Sequence, residues 1–146
     1  MPNIPTHLTK LQASSIEFYF AYKYFHWNIT GQDFREFHLM FDEHATIIYG
    51  QWDPIAERIR QLDSPVTGNL TDYAEQSVID KSKPNTKNNI QEILKYLILQ
   101  HQNHIDLLNQ IIDLASEGKD FATADLLTKF LEEHQQMQWF VKSSIE

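Results

Sequence analysis

The segment Asn28-Ile29-Thr30-Gly31 separates two long stretches of helical periodicity, so the chain must double back within a few residues. Apolar or aromatic residues recur before it at Leu8, Leu11, Ile16, Phe18, Phe20, Tyr22 and Phe25, and Gly31 supplies the stop. The spacing predicts a first helix from about Thr6 to Thr30 and a second from about Asp33 to Leu62. Pro54 falls inside the second. A proline costs a helix interior roughly 3 kcal/mol, so a kink there, or a restart with Asp53 as cap, is expected.

Residues 63 to 89 carry Ser-Pro, Thr-Gly-Asn and Lys-Pro-Asn and read as a long connection with a short helix near 70 to 77. A third helix is predicted from about Thr86 to Glu117, ended by Gly118, and a fourth from about Ala122 to Ser143. Four long helices and one long crossover predict an all-α four-helix bundle, a single domain over 1–146. There are no repeats, low-complexity tracts or glycine-rich phosphate loops.

Composition narrows the chemistry. The chain has no cysteine, which excludes disulfides, zinc-thiolate sites, iron–sulfur clusters and cysteine nucleophiles. A metal would have to be held by imidazole and carboxylate, a donor set that suits iron, manganese or zinc. A net charge of -8, with Lys and Arg scattered, argues against a protein built to neutralise phosphates. No apolar run reaches membrane-spanning length and the first residues carry no signal-like core, so a soluble cytoplasmic protein is expected.

His26 and His38 flank the turn, and metal binding, acid–base chemistry and plain packing all remain open for such a pair. On the second helix, His38 and Asp42 share a face, and so do Asp53 and Glu57. His38 and Asp53 are fifteen residues apart, about 22 Å along a helix, so one straight helix cannot bring both to one ion. Both pairs nevertheless look out of similar sides. If two copies pack antiparallel about a two-fold axis, His38 meets Glu57 of the partner subunit and Asp42 meets Asp53 of the partner subunit. That symmetry makes two equivalent two-chain sites. The Glu-x-x-His pairs of an intra-bundle di-iron site are missing, as are HExxH, CxxC and GxSxG.

HWNITG, then FREFH, then Asp-Pro-Ile-Ala-Glu-Arg resembles the Dps proteins, the mini-ferritins that protect DNA in starved cells. That pattern has H-W-N-x-x-G-x-x-F, a second His twelve residues after the first, an Asp fifteen further on, and Asp-x-x-Ala-Glu-Arg. His26, His38, Asp53, Glu57 and Arg58 match at every spacing, and TDYAEQSVI and the last helix also look like the family. The likeness covers essentially the whole chain. It departs at Pro54, where many members carry an apolar or acidic residue, and in lacking a lysine-rich N-terminal tail.

The resemblance implies a ferritin-like bundle assembled into a hollow dodecameric cage. It implies two-iron ferroxidase centres at two-fold interfaces, with His26, His38 and Asp42 from one chain and Asp53 and Glu57 from its neighbour. Fe(II) and hydrogen peroxide are the implied substrates, and ferric mineral the stored product. Direct nucleic-acid binding is not expected at this charge; the alternative is a DNA-compacting shell with minor ferroxidase activity. Trp27 and Trp52, beside His26 and Asp53 in sequence, are candidate sinks for a stray oxidising equivalent. Glu117, Asp120 and Asp125 are candidates for an iron-entry pore, against ordinary decoration of a helix start. His101 and His104 could bind a further metal but are expected on the surface, and no specific role is expected for His44 or His134. Trp139 and Phe140 are expected to pack in the core or an interface.

Overall fold

The computed structural model describes residues 3–146. α1 spans Ile4–Asn28, α2 Phe34–Gln61, α3 Leu70–Gln76, α4 Ile90–Glu117 and α5 Phe121–Lys142, with no strand among the described residues. The predicted five-helix order holds, with ends shifted by a few residues. α1 starts early because the Asn3 side chain accepts from the Thr6 amide at 3.2 Å, a cap worth about 1 kcal/mol. α4 begins at Ile90 rather than Thr86 because Asn88 adopts φ 54, a left-handed conformation that interrupts a helix.

α2 corrects the expectation at Pro54: the helix runs through it without a restart, and Asp53 is not a cap. The carbonyl deprived of its partner belongs to Gly50, which is exposed, so water can satisfy it. The turn between α1 and α2 rests on Gly31 at φ 109. A Cβ there would come within 2.8 Å of Asn88 Oδ1.

α1 packs on α2, and α4 on α5, as two hairpins. The crossover is fastened to the bundle by polar contacts. The Val78 amide donates to Ser14 Oγ at 3.0 Å, the Asp80 amide to Gln100 Oε1 at 2.8 Å, and the Tyr96 hydroxyl to the Asp80 carbonyl at 2.5 Å. Tyr73 of α3 donates to the Thr67 carbonyl and packs on Ala13 and Ile16 of α1.

The core has two apolar halves. One gathers Phe25, Phe37, Phe41, Ile48, Leu94, Leu97, Met137 and Val141. The other gathers Leu8, Leu11, Ile55, Ile59, Leu108, Ile111 and Leu127. At intermediate positions along the helices lie the buried polar residues His44, Gln51, His101, His104 and His134, with Tyr22. This overturns the surface placement expected for His101 and His104, both of which have no exposed area. Their positions lie on the a/d stripe Leu94, Leu97, His101, His104, Leu108, Ile111, so the helical period turns them inward regardless of their polarity.

Outside, Phe20, Tyr24, Trp27, Tyr49 and Leu70 are exposed large apolar side chains on α1, α2 and α3. Trp139 (61% exposed) and Phe140 (39%) are not in the core of the subunit, which leaves an interface as the expected alternative.

Candidate metal centre

The short turn brings the end of α1 against the start of α2, and His26 and His38 meet there. Their rings stack with centroids 3.8 Å apart and planes 12° from parallel, and Phe34 stacks on the far side of His38 at 4.9 Å. Each histidine is held by the other's backbone. His26 Nδ1 donates to the His38 carbonyl at 2.6 Å, and His38 Nδ1 donates to the His26 carbonyl at 2.7 Å. A carbonyl oxygen only accepts, so both Nδ1 atoms carry protons and both Nε2 lone pairs are left for a Lewis acid. Fixing one ring nitrogen to orient the other is the usual support of a metal-ligating histidine.

Asp42, one turn after His38, places Oδ1 3.9 Å from His26 Nε2. It also pairs with Lys23 Nζ at 2.7 Å. The hydrogen bond from Lys23 is the main reason its carboxyl lies below the usual range, with the charge of Lys23 adding to it. Lys23 was not singled out by the sequence; it stands three residues before His26, a spacing that puts it on the same face of α1.

Asp53 and Glu57 are not part of this cluster. Both are exposed on the continuous α2, with His38 and Asp53 separated by about 22 Å of helix. Asp53 lines a cavity with Gln12, Tyr49 and Trp52, and Glu57 lines another with Arg58 and Gln61. Among the described residues, no three His, Asp or Glu side chains of one subunit gather closely enough to hold an ion alone. Imidazole and carboxylate donors suit iron, and within one subunit they lie in two separated groups, His26, His38 and Asp42 in one and Asp53 and Glu57 in the other.

Trp27 is exposed beside His26, with Lys23 Nζ 5.9 Å from the ring centre. Trp52 is half-buried against Tyr19 and Tyr49, and its indole N–H has no partner within the subunit. Glu117 and Asp125 are exposed. Asp120 is committed elsewhere: it caps α5 through the Thr123 amide at 3.1 Å and pairs with Arg58 at 2.8 Å. Burial alone would raise its carboxyl; the bonds from Thr123 and Arg58 overcome that and hold it below its ordinary value.

His44 and His134, for which no role is expected from sequence, join His101 and His104 in the second polar cluster. Tyr22 OH lies 2.6 Å from His101 Nε2 and 2.9 Å from His44 Nδ1. His101 Nδ1 lies 3.1 Å from His134 Nδ1, and His134 Nε2 lies 3.0 Å from Gln51 Oε1. His104 stacks on His134 with centroids 4.1 Å apart, and neither of its nitrogens has a protein partner. Burial pushes the imidazoles down, His44 to about 4 and His104 to about 3, with His101 and His134 well below the ordinary range. Burial pushes the Tyr22 phenol well up.

Known proteins share this architecture. A family model described as ferritin-like domain matches residues 6–146. The chain is 30% identical over 125 residues to an uncharacterized low temperature-induced protein of Nostoc sp., covering 85% of this chain and 69% of that one. It is 27% identical over 139 residues to the DNA protection during starvation protein of Agrobacterium fabrum, covering 95% and 85%. The structure of Dps from Thermosynechococcus elongatus has a TM-score of 0.91 at 30% identity, covering 96% of this chain and 88% of that one. The Vibrio cholerae Dps, described as a member of a broad superfamily of ferritin-like diiron-carboxylate proteins, shares the fold with a TM-score of 0.89 at 24% identity, covering 96% and 87%. The chain therefore belongs to the Dps family of ferritin-like proteins.

Proposed function

We propose that this protein oxidises Fe(II), with hydrogen peroxide in preference to dioxygen, at two-iron centres shared between subunits. The ferric product is stored inside a hollow dodecamer, which limits hydroxyl-radical damage to DNA in the cytoplasm. The cross-bonded histidine pair carries the assignment: two oriented imidazoles with open Nε2 atoms and a nearby carboxylate are half of a metal site. Asp53 and Glu57, exposed and on the same helix, supply the other half when α2 meets its symmetry mate antiparallel.

The exposed aromatic residues Phe20, Tyr24, Trp27 and Tyr49 support such a pairing, because an apolar face of this kind on a water-soluble bundle is usually covered. Mixed imidazole and carboxylate donors accept iron in both oxidation states, and the carboxylates offset the extra charge of Fe(III). Two irons can give a peroxide both electrons at once, so no hydroxyl radical need be released. Trp27 and Trp52 stand near the two halves as sinks for stray oxidation. Glu117 and Asp125 remain free to guide Fe(II) at an entry pore, whereas Asp120 serves the helix cap and Arg58.

Light scattering and stopped-flow absorbance test this together. The expected mass is near twelve chains, and Fe(III) forms faster with peroxide than with dioxygen. A monomer in solution sinks the shared site. So do His38→Ala and Asp53→Ala variants that assemble and still oxidise iron at the parent rate.

A further inference from the structure

The hydrogen bonds across the buried belt run in one direction, and one carboxylate sets it. Glu133 only accepts, so the Gln51 side-chain N–H points to Glu133 Oε1, 3.4 Å away, and Gln51 Oε1 faces His134. His134 Nε2 must then donate, which leaves His134 Nδ1 as acceptor in the neutral ring that burial enforces. His101 Nδ1 donates to it, so His101 Nε2 accepts the Tyr22 hydroxyl proton. Tyr22 Oη in turn accepts from His44 Nδ1. The phenol is thus buried, hydrogen-bonded through its own proton to a neutral imidazole, and connected to a second imidazole beyond it. Tyr22 also lies one helical turn before His26, about 6 Å along α1.

We propose that Tyr22 is a proton-coupled one-electron donor to the iron site, oxidised when a peroxide-derived one-electron oxidant is left there. This rests on the ferroxidase function proposed above. One electron leaves Tyr22 for the oxidant and its O–H bond breaks. The proton bonds to His101 Nε2, while the His101 Nδ1 proton passes to His134 Nδ1. The products are a neutral phenoxyl radical, His101 in its other neutral tautomer, and a His134 imidazolium bonded to Gln51, whose side-chain amide donates to the Glu133 carboxylate. The two-step shift moves the positive charge from the apolar centre toward a carboxylate, which a single transfer to His101 would not do. The donor bond from His44 remains on the phenoxyl oxygen. An electron from a later Fe(II) restores the phenol as the protons retrace the path.

A lone buried tyrosine could not do this, because loss of its electron without its proton would strand a cationic radical in the core. The four-membered chain His44–Tyr22–His101–His134 removes that barrier. Phe18, stacked on Tyr22 at 5.2 Å and tilted on His101 at 4.6 Å, completes an aromatic enclosure around the phenol.

The test is rapid-freeze electron paramagnetic resonance on the assembled, Fe(II)-loaded protein mixed with hydrogen peroxide, with Fe(III) formation followed in parallel. A neutral tyrosyl signal is expected in the parent, lost in Tyr22→Phe while Fe(III) still forms. His101→Leu, which keeps the phenol and removes its proton acceptor, is expected to lose the signal as well, and it serves if Tyr22→Phe fails to assemble. In heavy water the signal should rise more slowly. A tyrosyl signal unchanged in Tyr22→Phe, or unchanged in His101→Leu, overturns the assignment. Fe(III) formation in the parent with no tyrosyl signal also overturns it while leaving the ferroxidase function standing. No Fe(III) formation in the parent defeats that function and this inference with it.

Discussion

Lys23 Nζ and Asp42 Oδ1 are paired at 2.7 Å beside His26, so the site's nearest carboxylate is already engaged by a cation of its own chain. If Asp42 is a ligand, as proposed, a metal shares or displaces that ammonium. Lys23→Met should tighten binding of redox-inert Zn(II) by about fivefold, since a partly exposed ion pair is worth on the order of 1 kcal/mol or less. Isothermal titration of the assembled protein reads this directly. Unchanged affinity would show that Asp42 takes no part in the site.

A site shared by two chains can be rebuilt from two broken ones. His38→Ala and Asp53→Ala subunits, each inactive alone, should recover about one quarter of the parent sites when unfolded together in equal amounts and reassembled, because half the dimers are mixed and each mixed dimer holds one intact site. Recovery is measured as peroxide-dependent Fe(III) formation per subunit. No recovery in mixed shells of the correct mass would place all ligands within one chain.

Gly31 sets the angle at which α1 and α2 approach. Gly31→Ala forces a Cβ onto a φ of 109 and within 2.8 Å of Asn88 Oδ1. The strain should cost about 1–3 kcal/mol. Because the same turn holds His26 over His38, metal affinity should fall along with the thermal midpoint. A variant with parent stability and parent affinity would remove the turn from the account.

The buried imidazoles make stability depend on pH. His104 ionises at about 3 in the folded protein against an ordinary 6.5, so the unfolded chain takes up protons first as pH falls. Its contribution is whole above pH 6.5 and is lost below that, at up to about 1.4 kcal/mol per pH unit, until the folded value is reached. His101 and His134 act in the same direction. His104→Leu, which also removes two unpartnered buried nitrogens, should therefore raise the thermal midpoint, and by more at pH 5 than at pH 8. An equal shift at both pH values would mean His104 is not a buried neutral group.

Asp120 joins the α5 cap to Arg58 of α2. Asp120→Ala should cost about 2 kcal/mol of stability from the lost cap and ion pair. If its main role were iron entry, Fe(II) uptake would slow while the unfolding midpoint stayed put, and those two readouts separate the cases.

Much of this was legible in order along the chain. Helical period placed five helices, because burial of one face per turn is a local pattern that survives uncertainty at the ends. The spacing of His38 and Asp42 from Asp53 and Glu57 put the two pairs far apart on one helix, because a rise of 1.5 Å per residue is rigid arithmetic, and the continuous α2 keeps them apart. Three features were misjudged or missed where residue chemistry was weighed singly. A kink or a restart is expected at Pro54, and α2 does not restart there, since Gly50 exposes the carbonyl the proline orphans. His101 and His104 were assigned to the surface for their polarity although they occupy the apolar stripe. Lys23 carried no motif.

The sequence by itself determined the helices, the turn that joins the two histidines, and the separation of His38 from Asp53 and Glu57 along α2, all of which follow from periodicity and spacing within one segment. The tertiary structure alone decided which side chains from different helices touch. Lys23 meets Asp42 from a neighbouring helix, and Tyr22, His44, His101 and His134 meet from four. Such contacts depend on how helices rotate and shift against one another, set by the packing of every core residue at once, and no local pattern encodes that sum.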